Sequence, residues 1–265
     1  ANIIHQGGTI LRTSRCEEFR SPEGRAKAAE VLRRAGVEGL IVIGGDGSFR
    51  GGTLLAQESG LMVVGEPGTI DNDVYGTDYT IGFDTAVNCA LGAIDRIRDT
   101  ALSHERIFFV EVMGRHTGYI AIESGIAGGA EEVMIPESSM TVERLCAHLD
   151  AAFRRGKRHA ILVIAEQDKP GVAFSIAEQV HRALDLDTRV CILGHIQRGG
   201  SPTARDRVLA SKLGAAAVKA LIDGKPGYMV GETKGSVVHV PLRDTWEKSK
   251  GLDPELRDLA ALLCE

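Results

Sequence analysis

The sequence predicts an α/β protein of two doubly wound lobes, with mostly parallel sheets and a cleft between them. Three observations lead there. Short apolar runs such as Val37–Ile43 and Ala160–Ala165 alternate with amphipathic stretches of helical period, the pattern of strand–helix–strand units. Ala160–Ala165 is apolar throughout, and Val37–Ile43 is so apart from Glu38, as strands covered on both faces are. The alternation runs twice, with a change-over near Ile81 to Thr85.

Taken in order, Ser21 to Ala35 reads as a helix, with Ser21 as N-cap, Pro22 at its first position and Glu23 behind. Val37 to Ile43 is a strand and Leu54–Leu55 lie in the next helix. Leu61 to Val64 is a strand that Pro67 and Gly68 break. Val87, Ala90, Leu91, Ile94 and Ile97 mark a long helix over Thr80 to Thr100. The second stretch gives strands Ile107–Val112, Glu132–Ile135, Ala160–Ala165 and Val190–Leu193. Between them fall helices Gly118–Ala127, Thr141–Arg155 and Val172–Leu184. A helix over Ala204–Ile222, short strands at Val230 and Val237–Val240, and a helix Pro254–Leu263 complete the chain.

Bulk properties narrow the function. A net charge of −5 over 265 residues argues against a general nucleic-acid binder. It leaves anionic substrates open, because beyond about 8 Å at physiological salt a local cluster outweighs the total. Five scattered cysteines without C-x-x-C spacing favour reduced thiols in a cytoplasm over a disulfide framework or zinc site. No apolar run approaches the ~20 residues of a membrane helix, and no signal peptide is visible.

Chemistry gathers at strand ends. After Leu61–Val64 comes Gly65-Glu66-Pro67-Gly68-Thr69-Ile70-Asp71-Asn72-Asp73. In extended chain Thr69, Asp71 and Asp73 share a face; the competing reading is an Asx-rich turn. Gly44-Gly45-Asp46-Gly47-Ser48 joins a strand to a helix, where glycine N–H groups and the helix N-terminus suit a phosphate. Asp46 is placed there to hold Mg²⁺, unless the glycines serve a tight turn only. Met113-Gly114-Arg115-His116 ends the strand that Arg106 opens, and Glu166 ends another. Arg189 and the Gly194–Pro202 segment put two arginines and a histidine around a Gly-rich turn, suited to a phosphate monoester. His104, His148, His181 and His239 read as structural, His195 as functional. The basic run Arg154–His159 lies at a strand's amino end, where helix-end charge complementarity explains part of it.

PGTIDND, GGDGS, SHERI, EVMGRHTGYIA and LGHIQRGGSP, in this order and spacing over residues 2 to about 225, resemble the ATP-dependent 6-phosphofructokinases of the bacterial type. The resemblance implies a nucleotide lobe over 1–82 plus about 202–250, and a sugar-phosphate lobe over 83–201 plus about 251–265. It implies Mg²⁺ as cofactor, ATP and fructose 6-phosphate as substrates, and a cytoplasmic homotetramer. On it, Asp71 is the base, Asp73 assists and Thr69 contacts the transferring phosphoryl group. Arg115 belongs with these and with the substrate. Arg15, Cys16, Gly45, Asp46, Gly47 and Ser48 take the nucleotide side, Asp46 with the metal. Met113, Gly114, Arg115, Glu166, His195 and Arg198 hold the sugar phosphate, and Arg106 and Arg189 reach the 6-phosphate from a neighbouring subunit. Arg98, Glu131, Arg155, Lys157, Arg158 and His159 form an effector site for ADP or phosphoenolpyruvate, Glu131 beside the effector's metal.

Gly47 and Gly68 point to ATP rather than pyrophosphate as donor, since pyrophosphate-using relatives tend to carry Asp and Lys there. The alternatives are a pyrophosphate-dependent enzyme and a non-catalytic sugar-phosphate-binding or regulatory subunit. Family members open with a strand and a Gly-rich loop at the ATP phosphates, and this sequence begins after them. Two or three such contacts at ~1.5–3 kcal/mol each lead to the expectation of an ATP affinity at least a hundredfold lower and of doubtful activity.

Overall fold

In the computed structural model, residues 2–114, 116–138, 140–167 and 170–263 are described. The first elements are α1 (Pro22–Arg34), β1 (Gly39–Gly44), α2 (Asp46–Ser59), β2 (Met62–Thr69), β3 (Ile81–Gly82) and α3 (Phe83–His104). Then come β4 (Ile107–Val112), α4 (Tyr119–Ala127), β5 (Glu132–Met134), α5 (Val142–Arg154), β6 (Ala160–Ala165), α6 (Val172–Leu184) and β7 (Thr188–Ile192). The chain closes with α7 (Ala204–Ile222), β8 (Tyr228–Thr233), β9 (Ser236–Pro241), α8 (Asp244–Glu247) and α9 (Pro254–Leu263). Three-residue and five-residue 3₁₀ turns stand at Glu18–Arg20 and Gly194–Arg198. No helix among the described residues is long and apolar enough to cross a membrane.

The chain divides into two compact units, Ala1–Asp84 with Ser201–Lys250, and Thr85–Gly200 with Gly251–Glu265. The first holds a sheet in the order β1-β2-β8-β9, with β3 on β2. Its pairs are parallel apart from the β8–β9 hairpin. The second holds an all-parallel sheet in the order β5-β6-β4-β7.

Both sheets are covered by what the strand period dictates. Val63 and Val64 are neighbours on β2 and so face opposite ways. Val63 joins Phe49 of α2, Met229 and Leu242, while Val64 joins Leu213 and Ala217 of α7 and Val230. In the second unit all six residues of β6 are buried, with Leu145 of α5 and Ile176 and Val180 of α6 packed over Leu162 and Phe109. Caps fall where hydroxyls stand: Ser21, Thr141 and Thr203 accept from the N–H of Gly24, Arg144 and Asp206. Arg25, buried on α1, grips Glu58 of α2 with bonds of 2.8 and 2.7 Å.

Several sequence expectations need correction. Pro67 and Gly68 do not break the strand, and β2 runs through them to Thr69. Pro67 takes the last rung opposite Gly44 of β1. On the other side it falls between the Met229 rung at Gly65 and the Ile81 rung at Gly68, a gap in the ladder where a missing N–H is tolerated. The long helix starts at Phe83 rather than Thr80, because Ile81–Gly82 pair with Gly68–Thr69 as β3. The Gly194–Pro202 segment opens as a 3₁₀ turn. The short α8 and the Glu18–Arg20 turn carry too few residues for a period to show.

Gly65 marks how tightly β2 is covered. A Cβ there would lie 2.7 Å from Leu242 Cδ2 and 2.8 Å from Phe49 Cε1, both buried. Gly65→Ala is expected to destabilise the chain by about 1–3 kcal/mol through overpacking. A melting temperature equal to wild type would show that this core yields.

Candidate active site

In the first unit the site forms where β1 and β2 end. β1 passes through Gly45 directly into α2, whose N-cap residue supplies no side-chain cap, an arrangement that suits first-turn N–H groups to receive an anion. Asp46 bonds the N–H of Gly47 through Oδ1 at 2.6 Å. A Cβ on Gly47 would meet nothing within 4 Å, and one on Gly45 would lie 3.9 Å from Thr69. The glycine turn and the end of β2 are therefore adjacent.

Thr69 is the last residue of β2 and the chain bends at Ile70–Asp71. Thr69 Oγ1 accepts from the Asp71 N–H at 3.3 Å and lies 3.5 Å from Asp71 Oδ2. Asn72 has φ 54°, a left-handed conformation that costs a non-glycine residue about 1–2 kcal/mol, least for Asn and Asp. The extended-chain argument for Thr69, Asp71 and Asp73 therefore fails beyond Thr69, and a turn rather than a strand face gathers them. The turn reading is right for Asn72 alone. Its buried amide donates to Asp78 O at 3.3 Å and accepts from Thr80 N–H at 3.0 Å.

The charges here are poorly compensated. Asp71 Oδ1 is buried and, among the described residues, has no hydrogen-bond partner. The Asp73 carboxyl is held above the usual carboxylate range, first by burial and then by the charges of Asp71 and Asp46, with Lys250 opposing. One strand turn back, Glu66 is 5% exposed, and burial pushes its pKa up to about 7. Its carboxylate faces α7, 3.7 Å from where a Cβ on Gly214 would stand. No group of three or more His, Cys, Asp or Glu side chains converges among the described residues. Mg²⁺ fits such a donor set, since it takes one or two carboxylates and completes its shell with phosphates and water.

In the second unit the parallel strands deliver a second group at their carboxyl ends. Met113 follows β4, Glu166 follows β6, and His195 and Arg198 lie on the 3₁₀ turn after β7. Glu166 is buried and its N–H donates to Val112 O at 2.8 Å, while His195 and Arg198 are exposed. The Met113 N–H donates to Gln197 Oε1 at 2.8 Å, which ties the turn to β4. Gly114 O accepts from the Thr117 N–H at 3.0 Å, closing the turn before α4. Arg115 lies outside the described residues. Sequence reasoning missed Gln197, although it stands between His195 and Arg198. It also missed buried Glu111, which accepts from Gly171 and Ala173 at the start of α6.

Arg106 and Arg189 do not join that group. Arg106 precedes β4 and Arg189 is the second residue of β7, both at the amino ends of their strands, and Asp187 binds the two together. Five residues of β7 at about 3.3 Å each separate that end from His195. The expected clustering of two arginines and a histidine about one turn is therefore incorrect for Arg189.

The amino-end side also holds the basic patch. Glu131 accepts from Lys157 at 3.0 Å and lies 3.9 Å from Arg98, which bonds Gly129 O at 2.7 Å. Glu131, Arg155 and Lys157 border a cavity of about 680 Å³ that His148, Leu149 and Ala260 also line. Arg158 pairs with Glu105 at 3.7 Å instead, and His159 is half-buried just before β6. Arg15 and Cys16 lie on an exposed stretch before the first 3₁₀ turn. Among the described residues no hydrogen bond joins Arg15 to the α2 N-terminus.

Two parallel-sheet units, one carrying an uncapped helix N-terminus beside a carboxylate turn, define an α/β protein of the phosphate-handling class. The family profile described as Phosphofructokinase matches residues 1–221. Over 263 residues the chain is 57% identical to the ATP-dependent 6-phosphofructokinase 1 of Thermus thermophilus, covering 99% of this chain and 82% of that protein. It is 50% identical over 266 residues to the ATP-dependent 6-phosphofructokinase 2 of Bacteroides thetaiotaomicron, covering 100% of this chain and 81% of that protein. The solved phosphofructokinase of Saccharomyces cerevisiae superposes with TM-score 0.85 at 34% identity, over 98% of this chain and 38% of that one. The chain belongs to the phosphofructokinase family.

Proposed function

We propose that this chain transfers the γ-phosphoryl group of ATP to the 1-hydroxyl of fructose 6-phosphate, giving fructose 1,6-bisphosphate and ADP, as a cytoplasmic step of glycolysis. The observation that carries this reading is Asp71, whose buried Oδ1, without a hydrogen-bond partner among the described residues, stands beside Thr69 and next to an uncapped helix N-terminus.

Phosphoryl transfer asks a protein mainly for positioning and charge stabilisation. Asp71 takes the proton of the 1-hydroxyl as that oxygen attacks phosphorus. Thr69 Oγ1 orients Asp71 and donates toward the moving phosphoryl group. Asp73 assists Asp71, and the α2 N–H groups with Gly45, Gly47 and Ser48 receive the phosphate chain. Asp46 would hold Mg²⁺, which when bound neutralises charge on the β- and γ-phosphate oxygens. Met113, Gly114, Glu166, His195 and Arg198 bind the sugar phosphate, and Arg115 completes the set. Arg15 and Cys16 belong to the nucleotide side, Arg15 near the phosphates.

ATP is the favoured donor. The space beside Gly47 leaves room for an α-phosphate, and a Cβ on Gly68 would stand 2.7 Å from Ile43 Cγ2, against a longer side chain there. The test is a coupled assay for fructose 1,6-bisphosphate with MgATP and, separately, with pyrophosphate. Turnover with pyrophosphate alone would transfer the reading to the other donor.

The reading extends to assembly. Arg106 and Arg189 are clasped by Asp187 at the strand ends remote from His195, which supports their serving a neighbouring copy in a homotetramer. Arg98, Glu131, Arg155, Lys157, Arg158 and His159 would receive ADP or phosphoenolpyruvate. Mixing inactive Arg189→Ala and His195→Ala chains is expected to restore part of the wild-type rate by pairing intact halves. No recovery in mixed, refolded samples would place all these residues within one subunit's site.

A further inference from the structure

The catalytic turn has a support that no motif in the sequence marks. Lys250 Nζ donates to Asn72 Oδ1 at 3.0 Å and to Asp78 O at 2.8 Å. Asn72 stands between Asp71 and Asp73, is 3% exposed, and is the one left-handed residue of the turn. Its Oδ1 also accepts from the Thr80 N–H at 3.0 Å, and its amide donates to the same Asp78 carbonyl that Lys250 engages. Asp78 is itself fixed to the β8–β9 hairpin: its N–H donates to Glu232 O at 2.7 Å, and its Oδ2 accepts from the Lys234 N–H at 2.6 Å. The segment 72–80 is thereby closed into a small ring of polar bonds. Lys250 joins it from 178 residues along the chain.

A lysine suits the position for two reasons. Its ammonium carries three donors on a flexible stem, enough to bridge a side-chain carbonyl and a backbone carbonyl. It is also a cation among carboxylates: its charge acts on Asp73 against those of Asp71 and Asp46. Lys250 is also the last residue of the first unit, and the next residue, Gly251, accepts from Tyr119 Oη of α4 at 2.8 Å.

We propose that Lys250 is a positioning residue of the phosphoryl-transfer site, holding Asn72 in its left-handed conformation so that Asp71 and Asp73 keep their places at the end of β2. The role rests on the phosphofructokinase reading of this site, and its test separates the two. Lys250→Met removes both bonds and the charge; Lys250→Arg keeps the charge and donors. With Lys250→Met, kcat is expected to fall roughly 10–100-fold, the scale of a misplaced catalytic group, with KM for ATP and fructose 6-phosphate within about twofold. Lys250→Arg is expected to recover most of the loss. Independently of turnover, amide exchange at Thr80, whose N–H donates to Asn72, is expected to quicken about tenfold in Lys250→Met while amides of β4 and β6 keep their protection. Unchanged exchange at Thr80 would overturn the role. So would kcat and both KM values moving together without rescue by Arg. A wild-type chain without turnover would sink the functional reading, and the exchange measurement would still judge the clamp.

Discussion

Asp71→Asn is expected to lower kcat roughly 10²–10⁴-fold, the range contributed by a positioned general base, with KM for both substrates within a few-fold. The asparagine keeps the shape and the bond to Thr69 but has no basic oxygen for the 1-hydroxyl proton. The same change is expected to leave the protein as stable as wild type or more so. Wild type keeps one carboxylate oxygen buried with no hydrogen-bond partner among the described residues, in a turn where the charges of Asp71 and Asp46 both work against Asp73. Removing a charge of that kind relieves a cost carried for function. Steady-state kinetics with thermal unfolding check both halves, and a kcat within tenfold of wild type would remove Asp71 from the role of base.

The second large effect concerns Glu66. In the folded protein its carboxyl holds its proton up to about pH 7, against 4.5 in the unfolded chain. Between those values the native state binds more protons, so stability falls as pH rises from about 4.5 to 7 and stays reduced above. The shift corresponds to about 3 kcal/mol. The charged groups along α7 are occupied elsewhere. Arg205 lies over the Tyr79 ring, Asp206 accepts from Gly82, Arg207 bonds Pro202 O, Lys212 pairs with Glu232, and Lys219 pairs with Asp223. Glu66→Gln is therefore expected to match wild type near pH 4 and to exceed it by about 3 kcal/mol at pH 8, measured by urea unfolding at both values. An equal difference at the two pH values would mean that the side chain's shape, not its charge, sets the cost.

Much of this could be read from the residues. β4, β6, α6, α7 and α9 fall on the expected bounds because each is a mainly apolar run or a full helical period set off by a turn residue, Gly171, Thr203 or Asp253, in front of it. Asp46, Thr69 and Asp71 stand out as candidates because glycines and carboxylates at strand ends advertise chemistry. What escaped depends on distance along the chain. β2 continues through Pro67 because β3, twelve or more residues on, pairs with its end, and no local signal says so. Asn72 looked like part of an extended face because its positive φ is fixed by Thr80, Asp78 and Lys250. Arg189 looked like a neighbour of His195 because six residues is close in sequence, whereas a strand carries them to opposite ends of a sheet. Gln197 and Glu111 were invisible for a different reason. Buried amides and carboxylates that satisfy backbone groups have no motif.

The division of the chain has a consequence for its synthesis. All four strands of the second unit's sheet lie between residues 107 and 192, so that sheet is complete while the chain is still emerging. The first unit's sheet needs β8, and the Gly65–Met229 rung joins residues 164 apart. At about 5–20 residues per second, β1 and β2 wait roughly 10–30 s on the ribosome for their partner. Their apolar faces, Ile41 to Val64, are uncovered for that time. Chaperone dependence during translation is thus expected to concentrate on residues 37–69.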